Sequence, residues 1–171
     1  MRIKHHEPLG DKNNKQDPLP ENWQELSAIA DGKPKKFGVV ERDRLYRSGI
    51  VWSHQIEGLH REYGISHIIA LIDGDWLQQF YEDERITIHQ FPLFQRRELT
   101  FERVKDIVEV INSQDEPSLV CCLKGATRTG MVVAGYEVLN GRKSNLQAIA
   151  ESIMYGNVNI SSFREMSRYH K

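Results

Sequence analysis

Long apolar runs are missing from this sequence. No segment approaches the roughly 20 consecutive apolar residues that a membrane-crossing helix needs, and the N-terminus lacks the apolar stretch of a signal peptide. An excess of one charge is also missing, because the formal net charge is −1. This balance argues against a general attraction to nucleic acid or to anionic membranes. We therefore expect a cytoplasmic protein that binds neither nucleic acid nor membrane.

Cysteine is scarce, since the chain has two cysteines and they are adjacent, Cys121 and Cys122. A zinc site or a disulfide framework needs more cysteines. The histidines show no metal-ligand spacing. Adjacent cysteines seldom form a structural disulfide, because the ring that they close is strained. The pair therefore needs a chemical or a packing explanation, and we expect no metal and no organic cofactor.

The chain length of 171 residues suits one domain with a single core. Residues 1–22 are polar and are interpreted as a mobile arm or a surface wrap. Residues 23–171 are predicted to form the domain. There, apolar runs of strand length alternate with segments of helical periodicity. This alternation predicts an α/β domain with a central, mainly parallel sheet flanked by helices on both sides.

Local signals place the individual elements. The strongest are apolar runs for strands, capping residues at helix starts and glycines at helix ends. Strands are predicted at 37–40, 45–47, 67–72, 86–91 and 118–122. Helices are predicted from Ser53 to Gly64, at 75–84, from Thr100, at 129–140, and after possible capping boxes at Ser144/Gln147 and Ser162/Glu165.

The most informative segment joins the strand at 118–122 to the helix that follows it. Such a loop can aim backbone N–H groups at an anion, and the helix adds the positive end of its dipole. Gly125 permits a backbone angle that a side chain forbids, and Arg128 offers a planar fork to two phosphate oxygens. Cys122 is predicted as the nucleophile, since this positive field favours its thiolate. The predicted phosphate-binding residues are Leu123, Lys124, Gly125, Ala126, Thr127 and Arg128.

The segment Cys122–Gly130, with its Cys-x5-Arg-Thr-Gly pattern, resembles the signature of the protein tyrosine phosphatase superfamily, in particular its compact dual-specificity-like members. The upstream Leu45–Gly49 resembles their "YRSG" element, and Gly64–Ile72 resembles one of their strands. The resemblance implies hydrolysis of phosphate monoesters through a phosphocysteine. It also implies that Thr129 hydrogen-bonds the cysteine sulfur in the second step.

Two positions depart from this family pattern. Family members usually have a histidine before the nucleophile, which orders the loop and keeps the cysteine pKa low, whereas this chain has Cys121. We interpret Cys121 as a small packing residue; the alternative is a residue that traps oxidised Cys122 in a vicinal disulfide. The family also places an aspartate on the loop after the strand at 86–91, and the loop at 92–99 has none. Glu98 is its only carboxylate and our candidate general acid.

Alternatives stay open for the acid. Glu98 also suits a helix N-terminus, where the dipole favours an acidic residue. Asp73 and Asp75 follow another strand and are rival acids, although turn and capping roles suit them too. Arg96 and Arg97 are candidates for attracting an acidic peptide or a second phosphate, or are solvated loop residues.

The expected substrate is a phosphorylated protein or a small aryl phosphate. Phosphotyrosine is favoured because aryl leaving groups need less protonation, and dual specificity is the next choice. Phosphoinositide-directed relatives often carry a lysine where this chain has Ala126. Two other functions compete: a catalytically weak phosphate-binding module and, less favoured, a rhodanese-like sulfurtransferase or an arsenate reductase.

Overall fold

The computed structural model describes residues 2–5, 32–72, 84–91, 93 and 99–169. Within these ranges the chain forms six strands and five helices. The strands are β1 (Arg2–His5), β2 (Gly38–Glu41), β3 (Leu45–Ser48), β4 (His67–Ala70), β5 (Thr87–Gln90) and β6 (Ser118–Cys121). The helices are α1 (Ser53–Tyr63), α2 (Phe101–Asn112), α3 (Thr127–Leu139), α4 (Asn145–Met154) and α5 (Ile160–Met166).

These strands form one sheet in the order β1-β5-β4-β6-β3-β2. The pairs β1–β5, β5–β4, β4–β6 and β6–β3 are parallel, and β2 pairs with β3 as the antiparallel arm of a hairpin. Every residue of β3, β4 and β6 is buried, as expected of strands covered on both faces. The predicted mainly parallel α/β fold is confirmed.

The strand order explains why helices cover both faces. From β3 the chain passes through α1 to β4, and from β5 it returns in the opposite direction through α2 to β6. Right-handed crossovers in opposite directions place their helices on opposite faces of a sheet. Since α3 packs against α2 and α4, these three helices share one face and α1 covers the other. The direction reverses between β4 and β6, and α/β sheets bind ligands outside the carboxyl ends of strands at such a point.

Several helix ends follow their predicted signals. Gly64 ends α1 in the left-handed region, with φ of 67°. The Thr100 side chain accepts a hydrogen bond from the Arg103 N–H at the start of α2. Ser144 and Gln147 form the predicted capping box of α4. Local chemistry therefore set these boundaries.

The predicted cap of α5 is wrong. Ser162 was expected to start this helix with Glu165 as its partner, but Asn159 is the N-cap and its side chain accepts from the N–H groups of Ser161 and Ser162. Glu165 instead accepts a hydrogen bond from the Phe101 N–H at 2.7 Å. A tertiary contact to the start of α2 therefore uses the carboxylate that the capping box required.

Other boundaries also differ from prediction. Helix α3 begins at Thr127, two residues before the predicted start. Strand β1 lies inside the polar N-terminal segment, where no strand was predicted, and pairs with β5 at the sheet edge. The rest of that segment, and nearly all of the helix predicted at 75–84, lie outside the described residues.

Candidate active site

The loop from Cys122 to Arg128 leaves the carboxyl end of β6, at the edge where β3, β4 and β5 also end. Cys122 follows the strand directly and is 4% exposed. The N–H of Leu71, just after β4, donates to the Cys121 carbonyl at 2.9 Å. This bond fixes the start of the loop at the point where the strand order reverses.

Two carbonyls within the loop point outwards into neighbouring elements. The Ile50 N–H donates to the Leu123 carbonyl at 3.3 Å, and Arg47 Nη2 donates to the Gly125 carbonyl at 3.0 Å. In a trans peptide the N–H points opposite to the C=O, and the described residues contain no cis peptide. The N–H that follows each carbonyl therefore points away from these partners, which is the orientation that an anion cradle requires.

Gly125 has a backbone conformation and surroundings that exclude a side chain. Its φ is +64°, in the left-handed region. A Cβ built there would lie 2.5 Å from the Gly49 nitrogen and 2.6 Å from the Ser48 carbonyl carbon. Both are backbone atoms that cannot rotate aside. The loop therefore lies directly on the end of β3, and glycine permits that approach.

Helix α3 starts at Thr127, within the last part of the loop, with Ala126 as its N-cap. An alanine side chain accepts no hydrogen bond, and the first turn contains no acidic residue. The positive end of the helix dipole therefore faces the loop. Arg128 lies in this first turn and is half-buried. A cation at a helix N-terminus is unfavourable unless an anion binds nearby, so the arrangement suits a bound phosphate.

Arg47 lies beneath the loop and is 1% exposed. Its guanidinium carbon lies 3.7 Å from the centre of the Tyr155 ring, which is a cation–π contact. Lys36 Nζ donates to the Tyr155 carbonyl at 2.7 Å. Burial and then the charge of Arg47 lower the pKa of Lys36, whereas Cys122 acts to raise it. The base of the loop is therefore a cationic environment.

Cys121 lies in the hydrophobic core and is fully buried. Burial and then the charge of Cys122 raise the pKa of Cys121 well above its ordinary value. Both cysteines are free thiols. These observations support the packing interpretation of Cys121, and the oxidised vicinal pair stays a prediction.

Thr129 is fully buried in the first turn of α3. Its hydroxyl donates to the Ser48 carbonyl at 3.4 Å, a long and therefore weak bond. A hydroxyl has one proton to donate, so donation to the Cys122 sulfur requires it to rotate away from Ser48. Its role in the second step stays a prediction.

The candidate acids Glu98, Asp73 and Asp75 lie outside the described residues, as do Arg96 and Arg97. Their positions relative to Cys122 stay predictions.

Within the described ranges, no group of three or more metal-ligating side chains is close enough to hold a metal ion. No helix in that part of the chain is both long and apolar enough to cross a membrane.

Sequence reasoning missed three residues at the base of the loop: Arg47, Lys36 and Tyr155. Arg47 belongs to the Leu45–Gly49 element that resembles the family, but that resemblance assigned no role to its side chain. Lys36 and Tyr155 are 119 positions apart, and no local pattern indicates that they meet.

Residues 33–144 match the family described as "Tyrosine phosphatase family". This stretch is more than half of the chain and includes the whole loop. The protein therefore belongs to the tyrosine phosphatase family. Among curated proteins, no sequence matches this chain.

Solved structures of several phosphatases share the fold. TpbA of P. aeruginosa is 20% identical with a TM-score of 0.61, and the match covers 73% of this chain and 77% of TpbA. The catalytic core of the PP-IP phosphatase SIW14 of S. cerevisiae is 18% identical with a TM-score of 0.62, covering 80% and 86%. PTPMT1, solved with PI(5)P, is 11% identical with a TM-score of 0.65, covering 78% and 94%. Family and fold together indicate a cysteine-based phosphatase.

Proposed function

We propose that this protein hydrolyses phosphate monoesters through a phosphocysteine formed on Cys122. The observation that carries the proposal is the loop after β6: Cys122 at its start, outward carbonyls at Leu123 and Gly125, and Arg128 in the first turn of α3. Two free thiols suit a reducing compartment, and we propose a cytoplasmic location.

In the first step the Cys122 thiolate attacks phosphorus in line. The S–P bond forms as the bond from phosphorus to the ester oxygen breaks, and that oxygen takes a proton from the general acid. The proposed acid is Glu98. The loop N–H groups and Arg128 stabilise the charge that develops on the three equatorial oxygens.

In the second step water attacks phosphorus and the S–P bond breaks. The Glu98 carboxylate accepts the proton of the water, and the thiolate of Cys122 is restored as inorganic phosphate leaves. A hydrogen bond from Thr129 to the departing sulfur favours this step. The same cradle serves both steps because the phosphoryl group stays in place while the attacking and leaving groups exchange.

Phosphotyrosine or another aryl phosphate is the proposed substrate, with dual specificity as the second choice. An aryl oxygen leaves with less protonation than an alkyl oxygen, which suits a site without the family's loop aspartate. A cysteine-to-serine variant of TpbA was solved with pTyr, whereas SIW14 is a PP-IP phosphatase and PTPMT1 was solved with PI(5)P. Because these proteins differ in ligand, the preference for an aryl phosphate rests on leaving-group chemistry and on Ala126, which follows Gly125 in the loop.

Turnover of para-nitrophenyl phosphate between about pH 5 and pH 8 tests the reaction. Cys122→Ser should abolish turnover, and Cys121→Ala, its neighbour with a fully buried side chain, should retain it. Equal loss in both variants would contradict the assignment of the nucleophile. The values of kcat/KM should be higher for a phosphotyrosine peptide than for a phosphoserine peptide or for PI(5)P in vesicles.

A phosphate-binding module is the second candidate function. It is favoured by Cys121 in the place of the family histidine and by the loop at 92–99 without an aspartate. If the wild type binds inorganic phosphate but shows no turnover on any of these substrates, the module replaces the enzyme as the function.

A further inference from the structure

Arg47 is unusual because it is a buried cation. It lies on β3 beside Val120 of β6, and 1% of the residue is exposed. Arginine is almost never fully buried unless a partner holds it. Nη2 donates a hydrogen bond to the Gly125 carbonyl, and the guanidinium carbon lies 3.7 Å from the centre of the Tyr155 ring.

The remaining donors of Arg47 are poorly satisfied. Within the described part of the chain, Nε and Nη1 are buried without a hydrogen-bond partner, and no carboxylate there lies within ion-pair distance. Burying a charge with unpaired donors costs free energy, and such groups in native proteins need an explanation. A charge that acts on the phosphate loop and on Cys122 from beneath is one such explanation.

Several ionisable groups surround this guanidinium. Burial lowers the pKa of Arg47, and nearby groups that carry or acquire negative charge act in the opposite direction. These groups are Tyr155, Cys122, Glu151 and Glu137. On the cationic side, Lys36 is held against Tyr155. Among them Cys122 belongs to the phosphate loop, so the buried guanidinium lies close enough to the candidate nucleophile for their charges to interact.

We propose that Arg47 is a positioning residue of the phosphate loop: it holds the Gly125 carbonyl outwards, so that the following N–H faces the phosphate, and places a buried positive charge behind Cys122. Arg47 thereby takes on both tasks of the family histidine, in whose place this chain has Cys121. The contact with the Tyr155 ring holds the guanidinium beneath the loop. This inference rests on the proposed function, because the phosphate and the thiolate are its targets.

Two measurements on the full chain test it, and neither requires turnover. Inorganic phosphate binding is measured by calorimetry. The rate at which iodoacetamide alkylates Cys122 at neutral pH is measured by tandem mass spectrometry, in which fragment ions from the bond between Cys121 and Cys122 assign the label to one cysteine. A wild type that binds phosphate without hydrolysing para-nitrophenyl phosphate would refute the enzymatic function and leave this test intact.

Arg47→Met should weaken phosphate binding about 10- to 100-fold, as expected when a charge-assisted hydrogen bond is lost. It should also slow alkylation of Cys122 at neutral pH by up to about tenfold, since the thiolate loses a nearby cation. Arg47→Lys retains the charge without the planar fork. It should therefore restore most of the alkylation rate and little of the phosphate affinity.

Arg44→Met is the matched control. Arg44 immediately precedes β3, and its guanidinium binds the carbonyls of Gln114 and Asn112 instead of the loop. This variant should leave both measurements unchanged. An Arg47→Met variant whose thermal transition shows that it folds, and whose phosphate affinity and alkylation rate are those of the wild type, would overturn the proposal.

Tyr155→Leu keeps the test decisive if Arg47→Met does not fold. Tyr155 is half-buried at the end of α4, and leucine removes the ring face while retaining an apolar side chain. Phosphate affinity and the alkylation rate should both fall, as predicted for Arg47→Met, by smaller amounts. Wild-type values for both in a folded Tyr155→Leu variant would overturn the proposal.

Discussion

Replacing Gly125 by alanine puts a methyl group where the loop touches the end of β3. Its Cβ would lie 2.5 Å from the Gly49 nitrogen, 2.6 Å from the Ser48 carbonyl carbon and 2.8 Å from the Ser48 oxygen. Real Cβ contacts are essentially never this short. Because all three atoms are backbone, either the loop or the end of β3 must move.

The size of the effect follows from two terms. A left-handed backbone costs an alanine about 1–2 kcal/mol, and overpacking against fixed neighbours costs about 1–3 kcal/mol. The free energy of unfolding should therefore fall by about 2–5 kcal/mol. For a domain of this size, 1 kcal/mol corresponds to about 2–4 °C, so Tm should fall by about 4–20 °C. Phosphate should bind at least about tenfold more weakly, since the cradle is displaced.

Thermal unfolding by circular dichroism and phosphate binding by calorimetry measure both effects. Gly58→Ala is the matched control: Gly58 lies inside α1, and a Cβ there meets nothing within 4 Å. It should stabilise the protein by about 0.5–1 kcal/mol, because alanine is the better helix former. A Gly125→Ala variant with the Tm and phosphate affinity of the wild type would refute the reasoning.

Three further predictions concern individual side chains. Thr129→Val should slow hydrolysis of the phosphocysteine about tenfold, so stopped-flow assays should show a burst followed by a slower steady state. Thr129→Ser keeps the hydroxyl and should stay near wild type. Equal slowing of both phases would contradict a role of Thr129 in the second step. Glu98→Gln should reduce kcat/KM for a phosphoserine peptide by about 10²–10⁴-fold and much less for para-nitrophenyl phosphate; a uniform loss would argue against Glu98 as the acid. Lys143→Met should destabilise the fold by about 1–3 kcal/mol, the cost of leaving a buried acceptor without its partner, because Lys143 Nζ lies 2.6 Å from an oxygen of Glu137, whose side chain is 3% exposed. Burial raises the pKa of Glu137, so protonation of Glu137 favours the folded state. The loss of unfolding free energy in Lys143→Met, measured by urea unfolding, should therefore shrink as pH falls through that pKa. An equal loss at acid and alkaline pH would contradict this pH dependence.

The parts of the fold that were predictable depend on neighbours in sequence. Helix α1 ends at Gly64 because a glycine is best suited to its φ of 67°. Helix α2 begins after Thr100 because a threonine side chain accepts from the N–H three residues later. The cap of α5 was mispredicted because Glu165 bonds to Phe101, 64 positions away. Strand β1 was not predicted because its sequence has no apolar run. It is held in the sheet by backbone pairing with β5.

The candidate site divides in the same way. Cys122, Gly125 and Arg128 were predictable because one short loop contains nucleophile, turn and anion clamp. The role of Arg47 was not predictable, because it depends on the parallel register of β3 with β6 and on a contact across 78 positions. Tyr155 reaches the same place from the end of α4.

The outward carbonyls of the loop make the site preorganised. The Cys121, Leu123 and Gly125 carbonyls are held by groups from or just after β3 and β4, and those strands are buried throughout. The loop therefore acquires its shape when the sheet folds, and an arriving phosphate has little ordering entropy to overcome. Affinity in such a site is coupled to folding, so a destabilising change deep in β3 can present in an activity screen as a defect of catalysis.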